Sequence, residues 1–382
     1  MTIPSVLLDA TAVPRDRGGV GRYVDGLLPS LQGKITVACQ AHDVAHYRRI
    51  APQATVLGQS PRISSVPARF FWEQVSLPRL ARRLGAEVVH SPHYTIPLFT
   101  RRARVVTFHD ATFFSDPHVH TRTKRIFFSA WIRLSARLAD AVLVPSKSAG
   151  TELSRFVGRS TGFEVAYHGV DVQIFGPPTQ SDIETFATAH GLVGRRWIAF
   201  LGTIEPRKNV PALVRAYRSL VSRWDAAWGE IPVLALIGGS GWETNLDHEV
   251  NQIVPPADVR RLGFVAIEQL RSALGGALIV CYPSLGEGFG LPVLEAMACG
   301  APVLTTDRLA LPEVGGDAVA YSETDADSIS AGLELLVADA SLRAGLSASG
   351  LERSRLFTWP ASARVHESVY SKALADKRKM AS

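Results

Sequence analysis

The chain has 382 residues, 46% hydrophobic and 20% charged, a composition that buries substantial cores and predicts two domains. Its net charge of +6 is uneven: residues 1–178 hold 22 Lys and Arg against 12 Asp and Glu, and the remainder holds 19 against 23. No DNA- or RNA-binding signature accompanies the basic half, so nucleic acid is not an expected partner, whereas an anionic membrane face or anionic acceptor fits the charge. Cys39, Cys281 and Cys299 have neither CxxC nor Cys/His spacing, which argues against a disulfide framework or a zinc site. The first residues lack the basic and apolar regions of a signal peptide, and no run approaches the roughly 20 apolar residues of a spanning helix. The expected location is the cytoplasm.

In chain order, short β-branched runs predict strands at Ser5–Ala10, Ile35–Gln40, Glu87–His90, Arg104–Asp110 and Ala141–Ser146, with a helix at Val20–Leu31. Val172–Ser181, with Gly176, Pro177 and Pro178, breaks both periodicities and reads as a linker. Beyond it the plan repeats. Strands are expected at Trp197–Thr203, Val233–Gly239, Arg261–Val265, Ala277–Pro283 and Ala301–Thr306, and helices at Asn209–Ser222, Ile267–Leu274, Pro292–Cys299 and Ala326–Ala338. A terminal helix is expected at Pro360–Ala375, with Pro at a favourable first-turn position. Such alternation implies doubly wound parallel α/β sheets. The expected domains are residues 1–175 and 191–358, joined through 176–190, with 359–382 a terminal helix.

Ligands of such sheets sit beyond the carboxyl ends of the strands. After the first strand comes RDRGGVGRY, where Gly18 and Gly19 expose amides that can approach an oxyanion at a helix start, or form a plain turn. His109-Asp110 ends another strand, a position where a histidine is more often structural than functional. GTIEPRKNV places Glu205, Arg207 and Lys208 before a helix. Adjacent cations there oppose the helix dipole, a conflict that a bound diphosphate removes. In EGFGLPVLEAMACG, Glu287 precedes a glycine turn and Glu295 lies one turn into the helix. The amides of Phe289, Gly290 and Leu291 then suit a phosphate, and Glu295 suits a vicinal diol such as a ribose. Asp325-Ala326-Asp327 imitates a metal-binding DxD, but its place before a helix reads as capping, and no metal is expected.

Together these residues resemble the retaining glycosyltransferases of family 4, whose GT-B fold sets two Rossmann-like domains facing across a cleft. The E-x7-E spacing of Glu287 and Glu295 is the most specific part, supported by GGVGRYV, HDATFF, FLGTIEPRKN and LPEVGGDAVAY. The resemblance implies that Glu295 holds the nucleotide ribose and that Glu287 with the following amides holds the donor sugar. It further implies Lys208 on the diphosphate, Gly19 near the distal phosphate, His109 on the transferred sugar, and a terminal helix crossing back to the first domain. Many members carry Arg where this chain has Thr203, which leaves Arg207 to supply that charge.

The implied reaction transfers a hexose, with retention, from a nucleotide-diphosphate sugar to a glycan or lipid-linked acceptor in envelope or polysaccharide synthesis. The leaving phosphate accepts the acceptor's proton, and no metal or other cofactor is required. GDP-mannose is the leading donor, then UDP-sugars, with base contacts from the backbone near Phe264 and Val265. One rival is a nicotinamide oxidoreductase, but Gly238-Gly239-Ser240-Gly241 lacks the final Gly of G-x-G-x-x-G. The other is a non-catalytic sugar-nucleotide-binding scaffold. Arg69–Leu84 and Thr121–Leu138 mix aromatic and basic residues, which suits either a peripheral membrane helix or an ordinary helix with snorkelling arginines.

Overall fold

The computed structural model describes residues 3–15, 17–115, 122–158 and 162–381. They form two compact units: residues 1–169 with 357–382, and residues 170–356. The first holds β1 (Val6–Asp9), β2 (Ile35–Gln40), β3 (Thr55–Gln59), β4 (Val88–Ser91), β5 (Ala103–Thr107), β6 (Ala141–Val144) and β7 (Phe163–Val165). The second holds β8 (Trp197–Leu201), β9 (Val233–Ile237), β10 (Val259–Gly263), β11 (Ile279–Tyr282), β12 (Val303–Thr306) and β13 (Ala320–Ser322).

Every pairing is parallel, in the orders β3-β2-β1-β4-β5-β6-β7 and β10-β9-β8-β11-β12-β13. In each sheet the strand order reverses beside its first strand, between β1 and β4 and between β8 and β11. Those are the points where such sheets bind ligands. Alternate side chains of the first sheet enter opposite cores: Val6, Leu8 and Val88 join one cluster, Leu7 and Val89 another. Burial on both faces is what makes the central strands read as unbroken apolar runs.

Local signals fix several helix starts. Ser146 accepts from the Ala149 amide at 2.9 Å, and Thr179 with Asp182 forms a reciprocal capping box over helix Gln180–Ala189. That helix lies within the stretch read as linker from sequence. Asp325 caps helix Ala326–Ala338 through the Ser328 amide at 2.9 Å, a capping role that accounts for the DxD-like sequence. The first helix is Gly18–Leu27 and continues only as a 3-10 turn, Leu28–Ser30, rather than reaching Leu31 as an α-helix. Pro29 lacks the amide that an α-helix interior needs.

The terminal helix, Trp359–Ala381, belongs to the first unit, where Trp359, Ala363, Val369, Tyr370 and Ala373 enter the core. A buried polar chain accompanies it. His366 Nδ1 lies 2.8 Å from the Ser362 carbonyl, which only accepts, so Nδ1 carries the proton and Nε2 accepts from Tyr23 at 2.7 Å. The Tyr23 hydroxyl accepts from Thr107 at 3.0 Å, and Thr107 accepts from His90 Nε2 at 2.9 Å. His90 Nδ1 accepts from Tyr370 at 2.8 Å. Burial depresses both imidazoles, His366 to about 4, so the chain is neutral and every direction in it is satisfied.

Candidate functional site

The second unit gathers its charge at the switch point. Beyond β8, a short 3-10 turn at Pro206–Lys208 ends at Asn209, whose left-handed backbone (φ 58°) starts helix Val210–Ser222. Asn209 Nδ2 donates to the carbonyls of Pro283 and Thr324, at 3.3 and 2.8 Å, tying this loop to those after β11 and β13. The loop after β9 closes from the other side. A Cβ on Gly238 would stand 2.2 Å from the Gly202 carbonyl oxygen, and one on Gly241 would stand 2.0 Å from that of Ile204. These glycines therefore serve backbone-to-backbone packing under the β8 loop.

Glu287 is the hub. Its Oε1 receives Lys208 Nζ at 2.6 Å, the Tyr282 hydroxyl at 2.8 Å and Ser284 Oγ at 2.8 Å, while Oε2 lies 2.7 Å from Arg207 Nη1. Arg207 also bonds Glu205 at 2.7 Å and the Gly286 carbonyl at 2.8 Å, and Lys208 also donates to the Tyr282 hydroxyl. The side chains of Lys208 and Glu287 are each only 10% exposed, so these are low-dielectric contacts. Burial alone raises the Glu287 carboxyl, but Arg207 and Lys208 together outweigh it and hold the group well below the usual carboxylate range. Burial and Arg207 depress Lys208, against the pull of Glu287.

The electrostatic premise drawn from the sequence needs correction here. Arg207 and Lys208 do not require an external polyanion to coexist, because Glu205 and Glu287 already balance them. Tyr282 and Ser284 were missed as members of the cluster. They end the apolar run Ile279–Tyr282 with polar groups, the same strand-end signal that picked out His109.

Gly290, with φ 101°, starts helix Leu291–Ala298, so Leu291 sits in its first turn beside Phe289, and Glu295 is buried one turn further on. Cys299 follows, its thiol raised by burial and by Glu295. Past the end of β10, Phe264 is 80% exposed and Val265 buried.

In the first unit, Gly18 (φ 43°) and Gly19 open the first helix beyond β1, behind Arg17, which pairs with Asp43 at 2.9 Å and with Asp25. A Cβ on Gly19 would meet nothing within 4 Å. His109 lies two residues past β5. Its Nε2 donates to the Pro92 carbonyl at 2.8 Å and burial lowers its pKa, which leaves a neutral ring with Nδ1 as an acceptor.

Two family models match in succession: one described as Glycosyltransferase Family 4 over residues 17–174, the other as Glycosyl transferases group 1 over residues 182–353. The chain is 31% identical over 274 residues to the O-antigen chain mannosyltransferase B of Escherichia coli, covering 71% of each protein. It is 34% identical over 205 residues to the phosphatidyl-myo-inositol mannosyltransferase of Mycolicibacterium smegmatis, covering 50% of this chain and 51% of that one. Among solved structures, Anabaena HepE in complex with UDP-glucose superposes with a TM-score of 0.76 at 16% identity, covering 96% of this chain and 100% of that one.

Proposed function

Because the chain belongs to the group 1, family 4 glycosyltransferases, we propose that it moves a hexose, mannose first among candidates, from a nucleotide-diphosphate sugar to a glycan or lipid-linked acceptor in envelope or polysaccharide synthesis. The observation that carries this reading is the buried Arg207–Lys208–Glu287 cluster at the switch point of the second sheet. Cleavage of the sugar–phosphate bond leaves an oxocarbenium-like sugar and builds negative charge on the departing diphosphate. Lys208 and Arg207, fixed by carboxylates before the ligand arrives, stabilise that charge without reorganising, which is commonly the largest catalytic term. In the same proposal, the amides of Phe289, Gly290 and Leu291 meet a phosphate, Glu295 takes the ribose diol, and the backbone at Phe264 and Val265 meets the base. Glu287 is the donor-sugar residue. Gly18, Gly19 and His109 are the candidate residues within the first unit. Same-face attack, with the leaving phosphate as base, requires no metal and no side-chain nucleophile.

Mannose is favoured because both relatives are mannosyltransferases, and GDP-mannose follows as the first donor to test. Thermal-shift screening against GDP-, UDP-, ADP- and dTDP-sugars, followed by product analysis with mannoside acceptors, tests the reading. A ligand at 100 times its Kd adds roughly 2.7 kcal/mol. Tight binding with no turnover on any acceptor would favour a scaffold instead.

Peripheral contact with an anionic membrane is part of the proposal. The first unit carries 27 Lys and Arg against 13 Asp and Glu. Helices Val66–Arg83 and Arg122–Leu138 touch through Phe70, 4.8 Å from Trp131, and leave Val66, Phe71 and Ile126 more than half exposed. No helix among the described residues is long and apolar enough to cross a membrane. Flotation with anionic liposomes should show salt-sensitive binding that Phe71→Ser weakens; equal recovery with neutral liposomes refutes it.

A further inference from the structure

Glycines stand on both sides of the turn that carries Glu287, and each is met by a leucine from the loop after β12. A Cβ on Gly286 would stand 2.7 Å from Leu309 Cδ1, and one on Gly290 would stand 2.8 Å from Leu311 Cδ2. Between these contacts the Ala310 amide donates to the Glu287 carbonyl at 3.3 Å. The loop therefore lies along the turn in register, with glycine where a leucine needs room. Both ends of the loop are fixed. Thr305 and Thr306, at the end of β12, donate to the carbonyls of Tyr282 and Ser284 at 2.7 and 2.6 Å. Beyond Leu311, the Arg353 guanidinium donates to the carbonyls of Glu313 and Val314 at 2.9 and 2.5 Å.

Leu309 is strained where it makes this contact. Of the three non-glycine residues with positive φ among the described residues, it is the only apolar one, at 49°. In that conformation the Cβ of an L-residue crowds the following carbonyl, so glycine or asparagine is the usual occupant. Leu309 is also 39% exposed, so its own burial offsets the strain only in part. Strain of this kind collects at functional sites, where the surrounding structure holds it. The neighbouring carboxylate gives it a purpose: Glu287 meets Lys208, Tyr282, Ser284 and Arg207 at once, between 2.6 and 2.8 Å, and a turn free to rock would lose one of these bonds to keep another. We propose that Leu309 is a positioning residue, which presses on Gly286 and so aims the Glu287 carboxylate at the donor sugar. The role of the aimed carboxylate rests on the glycosyltransferase reading above; the clasp itself is tested on the ligand-free chain.

Three variants of the full chain separate strain from contact. Leu309→Gly relieves the backbone and removes the side chain, Leu309→Ala removes the side chain but keeps the strain, and Leu309→Met still reaches Gly286. Glycine is ordinarily less stable than alanine at the same position, but here the glycine variant should have the higher Tm. Hydrogen exchange of residues 284–291, read by mass spectrometry without ligand, should quicken about tenfold in both truncated variants and stay at the parent rate in Leu309→Met. Calorimetry then compares GDP-mannose with GDP, and UDP-glucose with UDP. Truncation should lower the affinity ratio of sugar nucleotide to diphosphate about tenfold while leaving diphosphate affinity unchanged, and methionine should restore the ratio. Parent-like exchange in both truncated variants overturns the proposal, as does a higher Tm for the alanine variant. So does faster exchange with an unaltered affinity ratio. A parent chain that binds none of the four nucleotides refutes the donor reading alone, and exchange and Tm still decide whether Leu309 holds the turn.

Discussion

Replacing Glu287 by Gln should convert an internally neutralised cation pair into one that needs its ligand. The variant's carbonyl oxygen can keep the bonds now made by Oε1 to Lys208, Tyr282 and Ser284, but its NH2 group must then face Arg207, at 2.7 Å from Oε2 in the parent. Two donors meet where an ion pair stood. Breaking a buried pair by removing one partner costs roughly 3–5 kcal/mol. Glu205 still holds Arg207 at 2.7 Å, which places the expected loss near the lower end, about 3 kcal/mol. A nucleoside diphosphate supplies the missing negative charge, so GDP or UDP should stabilise the variant more than the parent. A tenfold gain in affinity corresponds to about 1.4 kcal/mol of extra stabilisation at saturating ligand. Urea unfolding with and without nucleotide measures both quantities. Parent-like stability without ligand, or a nucleotide increment no larger in the variant, refutes the claim that a diphosphate shares these cations with Glu287.

Glu295→Ala and Lys208→Ala should each weaken nucleotide-sugar binding at least tenfold in calorimetry while the chain remains folded by circular dichroism; unchanged affinity in both rejects the site. Glu73→Gln should change the pH dependence of stability. A carboxyl raised from the ordinary 4.5 to about 8 in the fold favours folding while protonated, and that contribution fades as pH rises through 8. The glutamine variant should therefore gain on the parent by a few kcal/mol between pH 5 and pH 9, and parallel stability curves would contradict this. Gly169→Ala should lower Tm, because its Cβ would stand 2.2 Å from the Trp359 backbone nitrogen and overpacking of this kind costs about 1–3 kcal/mol; an unchanged Tm would mean that the terminal helix shifts freely.

How much of this was legible in the sequence depended on burial. Strands buried on both faces, such as β2, β8 and β9, announce themselves as apolar runs, and the sequence reading finds them. It misses β3, β7 and β13, all edge strands of mixed composition with half-exposed residues, whose place is set by the neighbour they pair with. At the site, Lys208 and Glu287 could be selected because glycines and prolines punctuate their loops. Their direct contact could not, since 79 residues separate them and only the adjacency of β8 and β11 brings them together. The roles of Tyr282 and Ser284 were hidden for the same reason.

The chain Tyr370–His90–Thr107–Tyr23–His366–Ser362 leaves the terminal helix and returns to it through three earlier segments. During synthesis those segments emerge first and wait, with polar groups prepared for an interior that is incomplete, while residues 170–356 are made and can fold. Only when the last helix leaves the ribosome does the first-made unit close. Loss of a few dozen C-terminal residues would therefore injure the part of the molecule farthest from the cut in sequence, and spare the part beside it.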